Sequence, residues 1–150
     1  MTAFVTAGAG FLLAVLWFDL MFDVQVLRHR GAEVPEGKLA SIAAYYRRVT
    51  TEARPMNRLV AAVMVATIAS IVVQLVRGDA PRWAGALSLA LTASAVLLAA
   101  VHTVPSAVRL GARSDGIEGQ SHLARSILRD HLLCVMAVAA VLFIQLVFGR

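Results

Sequence analysis

At 150 residues, with 59% hydrophobic and only 15% charged side chains, the chain has the length of one domain and is too apolar for an ordinary water-soluble one, where about a quarter of residues are charged. Its net charge of +5 comes almost wholly from arginine, Lys38 being the single lysine, and the arginines flank apolar runs instead of forming a patch with aromatics. That pattern excludes nucleic acid as a partner and points to membrane lipids with anionic headgroups. The single cysteine, Cys134, excludes an intrachain disulfide and a cysteine-based zinc cluster, and it reads as a small packing residue.

Apolar runs extend from Met1 to Phe18, Leu59 to Val76, Trp83 to Val101 and Leu132 to Phe148. They predict spans at about 3–26, 56–77, 82–104 and 129–148, near the roughly 17–25 residues that cross about 30 Å of hydrocarbon. Helices are required because an unpaired backbone amide in lipid costs several kcal/mol. The first run lacks a basic start and a small-residue cleavage site and continues into Asp19 and Asp23, so it reads as a retained span.

After a turn-like stretch from Gly31 to Gly37, Leu39, Ile42, Ala43, Tyr46 and Val49 recur at helical spacing. They predict an amphipathic helix lying on the cytoplasmic membrane surface, its tyrosines at headgroup depth. Pro55 suits the first turn of the second span. Gly78, Asp79 and Pro81 predict a tight turn that pairs spans two and three antiparallel. Small residues at Ala62, Ala66 and Ser70, and at Ala86, Ala90 and Ser94, form stripes expected to bring helices together. Ser114 to Gly119 reads as a turn, and from Gln120 a polar helix with Leu123, Ile127 and Leu128 on one side runs into span four. The fold expected is all-α: an integral membrane antiparallel four-helix bundle, one domain over 1–150, with a short amphipathic helix in its first cytoplasmic loop.

Orientation follows from the basic residues. Arg28, Arg30, Lys38, Arg47, Arg48, Arg54 and Arg58 lie between spans one and two, and Arg109, Arg113, Arg125 and Arg129 between three and four; only Arg77, Arg82 and Arg150 oppose them. Both long loops are therefore expected in the cytoplasm and both termini outside.

This orientation gathers polar residues at one end of the spans. Asp19 and Asp23, four apart, share a helix face, and His102 ends span three. Asp130 and His131 open span four, and Asn57 and Arg58 open span two. Asp19 stands among Trp17, Phe18, Leu20, Met21 and Phe22, too short to reach water, and is expected to pair with Arg58 or His102. Asp19 and His102 are the candidate catalytic pair; Asp23, Asn57, Arg58, Asp130 and His131 are candidate pocket residues. Two carboxylates and two imidazoles fit a metal, a proton relay or a haem held by His102 and His131, so the metal and the cofactor stay open. Gln74 and Gln145 read as hydrogen-bonding links between helices. No phosphate-binding loop, nucleophile elbow or zincin histidine pair is present.

The Trp17-Phe18-Asp19-Leu20-Met21-Phe22 stretch, Arg54 to Arg58, Thr103-Val104-Pro105 with Arg109, and Leu128-Arg129-Asp130-His131 together resemble the anthrone oxygenase-like family of small four-helix bacterial membrane proteins. An Asn commonly follows the proline there; here Ser106 does. The resemblance implies an oxygenase or redox role on a lipophilic small molecule. With the polar residues gathered at one end, the leading expectation is a bacterial inner (plasma) membrane protein with a polar cavity that opens to the cytoplasm. A small ion or solute transporter acting as a homo-oligomer, and a non-catalytic membrane scaffold, are the alternatives.

Overall fold

The computed structural model describes residues 1–29 and 31–149, apart from the Arg54 side chain. Arg30, Arg150 and the Arg54 side chain, all counted for orientation, lie outside what is described. Every secondary-structure element among the described residues is helical: α1 (Thr2–Asp23), a 3-10 turn (Val24–Val26), α2 (Glu36–Arg47), a π turn (Arg48–Glu52), α3 (Arg54–Arg77), α4 (Arg82–Leu98), a second π turn (Ala99–Thr103), α5 (Val104–Ala112) and α6 (Ile117–Phe148). Four helical stretches are long and apolar enough to cross a membrane, by length and composition: Thr2–Val26, Pro55–Arg77, Arg82–Ala112 and Ile117–Phe148.

The last two run further than expected. Pro105 has no N–H and its ring crowds the carbonyl four residues back, which would ordinarily end a helix. Here the wider π turn just before it takes up the misfit, and Pro105 sits in the first turn of α5. At the other end, α6 starts twelve residues before 129 because its polar opening turns pack Leu123, Ile127 and Leu128 inward.

The chain divides into two compact units. The first comprises Met1–Leu16, Leu59–Leu97 and Leu133–Arg150. It is an antiparallel four-helix bundle. Thr2 at the start of α1 hydrogen-bonds Gly149 beyond the end of α6, and Gln74 near the end of α3 reaches Thr2 at 3.1 Å. Gly78, at φ +70°, turns the chain from α3 toward α4 while the Asp79 amide bonds the Gln74 carbonyl at 3.2 Å, a helix end in which glycine relieves left-handed strain. Val5, Ala9, Leu12, Ile71, Val138 and Val141 make the core. Polar side chains, Thr67, Gln74, Ser88, Thr92 and Gln145, are buried with them, whereas Phe4, Val65, Val76 and Phe143 are exposed. Apolar outside with hydrogen-bonded polar groups inside is the arrangement lipid favours.

The small-residue stripes do not make the seams of this bundle. Ala62, Ala66, Ala86, Ala90 and Ser94 are exposed and Ser70 is half-buried. On α4 the buried positions are Ala84, Gly85, Ser88 and Thr92; Ser88 lies two residues from Ala86 and Ala90, about 200° round the helix. Close approach occurs instead at Gly8, where a Cβ would collide with the Thr67 side chain, and at Gly85, where it would lie 2.5 Å from Leu75 Cδ2.

The second unit comprises Trp17–Arg58 and Leu98–Leu132. Its core joins Val26, Val34, Leu39, Ile42, Ala43 and Tyr46 to Ala107, Leu110, Leu123, Ala124, Ile127 and Leu128. The expected apolar face of α2 is the one it buries, and it packs that face against protein, on α5 above all. Gly111 permits this, since a Cβ there would stand 2.8 Å from the Arg47 backbone nitrogen. The loop before α2 is pinned from α6. The Val34 amide donates to Ser121 Oγ at 2.9 Å, and the Arg125 guanidinium donates to the carbonyls of Ala32 (2.8 Å), His29 (3.2 Å) and Gly31.

Candidate functional site

Five side chains of the second unit form one polar cluster. Asp19 and Asp23, one helical turn apart on α1, point at α2 and α6. Asp23 is fully buried; its Oδ1 accepts from the Tyr46 hydroxyl at 2.5 Å, and its Oδ2 lies 2.6 Å from His131 Nδ1. Since a carboxylate faces Nδ1, that nitrogen carries the proton. Asp19 Oδ1 accepts from the Tyr45 hydroxyl at 2.7 Å, and its Oδ2 lies 3.8 Å from His131 Nε2. Phe22 stacks on the Tyr45 ring at 4.0 Å between centroids.

The tyrosines hold the donor end of these bonds firmly. Burial, and then the Asp19 charge, push the Tyr45 phenol far above its ordinary range; burial and then Asp23 do the same for Tyr46. Both stay protonated and donate. Adjacent tyrosines on a helix with a buried face were the signal for this cluster, because a buried phenol needs an acceptor.

A second polar group adjoins through the α6 backbone. Asp130, fully buried, accepts at Oδ2 from His102 Nδ1 (2.5 Å) and from the Thr103 hydroxyl (3.1 Å), both on the π turn before α5. Its Oδ1 has no hydrogen bond, and the exposed Arg129 guanidinium stands 3.6 Å away. Thus neighbouring residues 130 and 131 reach to different helices, Asp130 toward His102 and His131 toward α1.

Asp19, Asp23, Asp130, His131 and His102 are therefore buried or half-buried neighbours in one unit, with the pairing changed. Asp19 meets Tyr45 and His131, not His102 or Arg58. His102 belongs to Asp130. Asn57 and Arg58 are exposed; the Asn57 side chain donates to the Thr50 carbonyl at 2.7 Å, closing the π turn between α2 and α3. Among the described residues no group of three or more His, Cys, Asp or Glu side chains could hold a metal ion.

The first unit has its own polar seam. Gln74 Nε2 donates to Thr2 Oγ1 (3.1 Å) and Gln145 Oε1 (3.0 Å), and Gln145 Nε2 donates to Ser88 Oγ (3.0 Å). One residue comes from each of α1, α3, α6 and α4, a linking role the sequence indicated for both glutamines. Cys134 is buried, its Sγ 3.8 Å from the Ala95 carbonyl.

A family model described as ER membrane protein SH3, the SHR3 chaperone family, matches residues 1–148. No curated protein and no solved structure matches the chain. The match overturns the resemblance to the anthrone oxygenase-like family. That resemblance rested on short stretches at span ends, where arginine, asparagine and proline recur for headgroup and helix-start reasons common to unrelated membrane proteins. The bacterial inner membrane and the oxidoreductase role attached to it have no support from this family. Four apolar spans and a match over nearly the whole sequence place this multi-pass membrane protein in the SHR3 chaperone family.

Proposed function

We propose that this protein is a non-catalytic chaperone of the ER membrane that shields the spans of other membrane proteins before they assemble. The observation that carries the reading is the family match over residues 1–148. The scaffold role weighed from the sequence fits that family better than an oxygenase does. The exposed stripes agree with it: Ala62 and Ala66 on α3, and Ala86, Ala90 and Ser94 on α4, offer a client helix close backbone approach in lipid. In this reading Asp19, Asp23, His102, Asp130 and His131 hold helices in place and transform no substrate. The arginine-rich loops face the cytosol and both termini face the lumen, as the distribution of basic residues favours.

The test is cell-free synthesis of a polytopic membrane protein into microsomes with and without this chain. Less client aggregation and co-purification of the two are expected. Enlarging the stripes with Ala62→Leu, Ala66→Leu, Ala86→Leu and Ala90→Leu should abolish both effects while the variant keeps its own thermal midpoint. A client that aggregates equally with and without the chain sinks the reading. Glycosylation acceptors inserted in each loop and at each terminus test the topology.

A further inference from the structure

The Asp19–Asp23–His131 cluster carries a charge imbalance that a bound proton would reduce. Two carboxylates face one imidazole, and among the described residues no arginine or lysine pairs with either. His131 Nδ1–H is committed to Asp23. Tyr45 and Tyr46 occupy one oxygen of each carboxylate as neutral donors. What remains is His131 Nε2 facing Asp19 Oδ2 at 3.8 Å. A bare Nε2 would set its lone pair against an ionised oxygen and leave two negative charges around a neutral ring, in surroundings where Asp23 has no exposure.

We propose that Asp19, Asp23 and His131 form a proton-binding site, in which one proton, carried by His131 Nε2 or by the facing Asp19 Oδ2, locks α2 to its unit through Tyr45. The groups facing it are Asp19 and Asp23 from α1, Tyr45 and Tyr46 from α2, and Asp130 beside His131 on α6. Asp130 has its own partners in His102 and Thr103 on the π turn and in Arg129. Whether the proton sits on the imidazole or on Asp19, the cluster carries a single negative charge. When it leaves, the two carboxylates repel. Asp23 is enclosed and cannot move, whereas the Asp19 side chain is 15% exposed and can turn outward, taking the Tyr45 acceptor with it. The closed arrangement binds one proton more than the open one, so its stability falls as pH rises. The site does not depend on the chaperone reading.

The test uses the full-length protein in lipid nanodiscs, labelled with nitrogen-15 histidine. At neutral pH, His131 with both ring nitrogens protonated, or a neutral His131 with a carboxylic-acid infrared band that Asp19→Asn removes, supports the site. A neutral His131 beside an ionised Asp19 overturns it. Amide exchange of α2, corrected for its intrinsic pH dependence, gives a second readout that needs no variant. Between the pH at which the open arrangement loses this proton and the higher pH at which the closed one does, and below tyrosine ionisation, protection should fall about tenfold per pH unit. Asp19→Asn keeps an oxygen acceptor for Tyr45 without the charge, so this slope should vanish. A flat wild-type profile, or the same slope in both proteins, also overturns the proposal.

Discussion

Asp23 Oδ2 and His131 Nδ1 stand 2.6 Å apart although 108 positions separate them in sequence, and Asp23 has no solvent exposure. The same carboxylate takes the Tyr46 hydroxyl, so one side chain of α1 bonds both α2 and α6. Removing it leaves a buried imidazole and a buried phenol without their acceptor. Asp23→Ala should lower stability by about 3–5 kcal/mol, the usual loss when one member of a buried pair is deleted. Thermal unfolding in detergent micelles measures this; a loss within error of zero would show that the pair contributes nothing.

The tyrosines set an alkaline limit. Their phenols are held above the ordinary value, so the stability they contribute is fully present below about pH 10, where tyrosine ionises in an unfolded chain, and is lost as pH rises through the folded range. Ultraviolet titration should show Tyr45 and Tyr46 ionising only as α2 detaches in strong alkali. In Tyr45→Phe with Tyr46→Phe that late phase should be missing. Phenolate absorbance developing near the ordinary range, with helix content unchanged, contradicts this.

Gln74 and Gln145 bond each other at 3.0 Å with little or no exposure, and Gln74 Oε1 has no hydrogen bond. A double-mutant cycle of Gln74→Leu and Gln145→Leu should give a coupling of about 0.6–2 kcal/mol, the range for hydrogen bonds between membrane helices. Additive single losses would mean that the contact has no energetic weight.

Gly111 lets α5 meet α2 at backbone distance. A Cβ would stand 2.8 Å from Arg47 N and 3.0 Å from Arg47 Cα, atoms that cannot swing aside as a flexible side chain can. Gly111→Ala should destabilise by about 1–3 kcal/mol and raise amide exchange in α2 before α3. Gly37→Ala is the control, because nothing lies within 4 Å of a Cβ there. Equal effects of the two substitutions count against close packing as the cause.

The amino-acid sequence was sufficient for whatever depends on period, length or a single turn. Four apolar runs had to be helices, because lipid leaves a backbone amide no other partner. Gly78, Asp79 and Pro81 marked the turn after α3, where Gly78 takes a left-handed backbone, and Leu39, Ile42, Ala43 and Tyr46 marked the buried face of α2. Gln74 and Gln145 were legible as links because an amide in an apolar span must find another polar group. The Ala62 and Ala86 stripes misled because small size permits close approach without saying which face makes it. The oxygenase resemblance misled because span ends look alike in unrelated proteins.

Tertiary structure alone decided the partners. That Asp19 meets Tyr45 and His131, while His102 is taken by Asp130, depends on which way α2 folds back and on a π turn that aims His102 and Thr103 together. Spacing along a helix places two carboxylates on one face, but it carries no information about which distant imidazole arrives opposite them. That is set by packing, where Gly111, Leu39 and Ile42 fix the seat of α2 and so bring its hydroxyls to the carboxylates of α1.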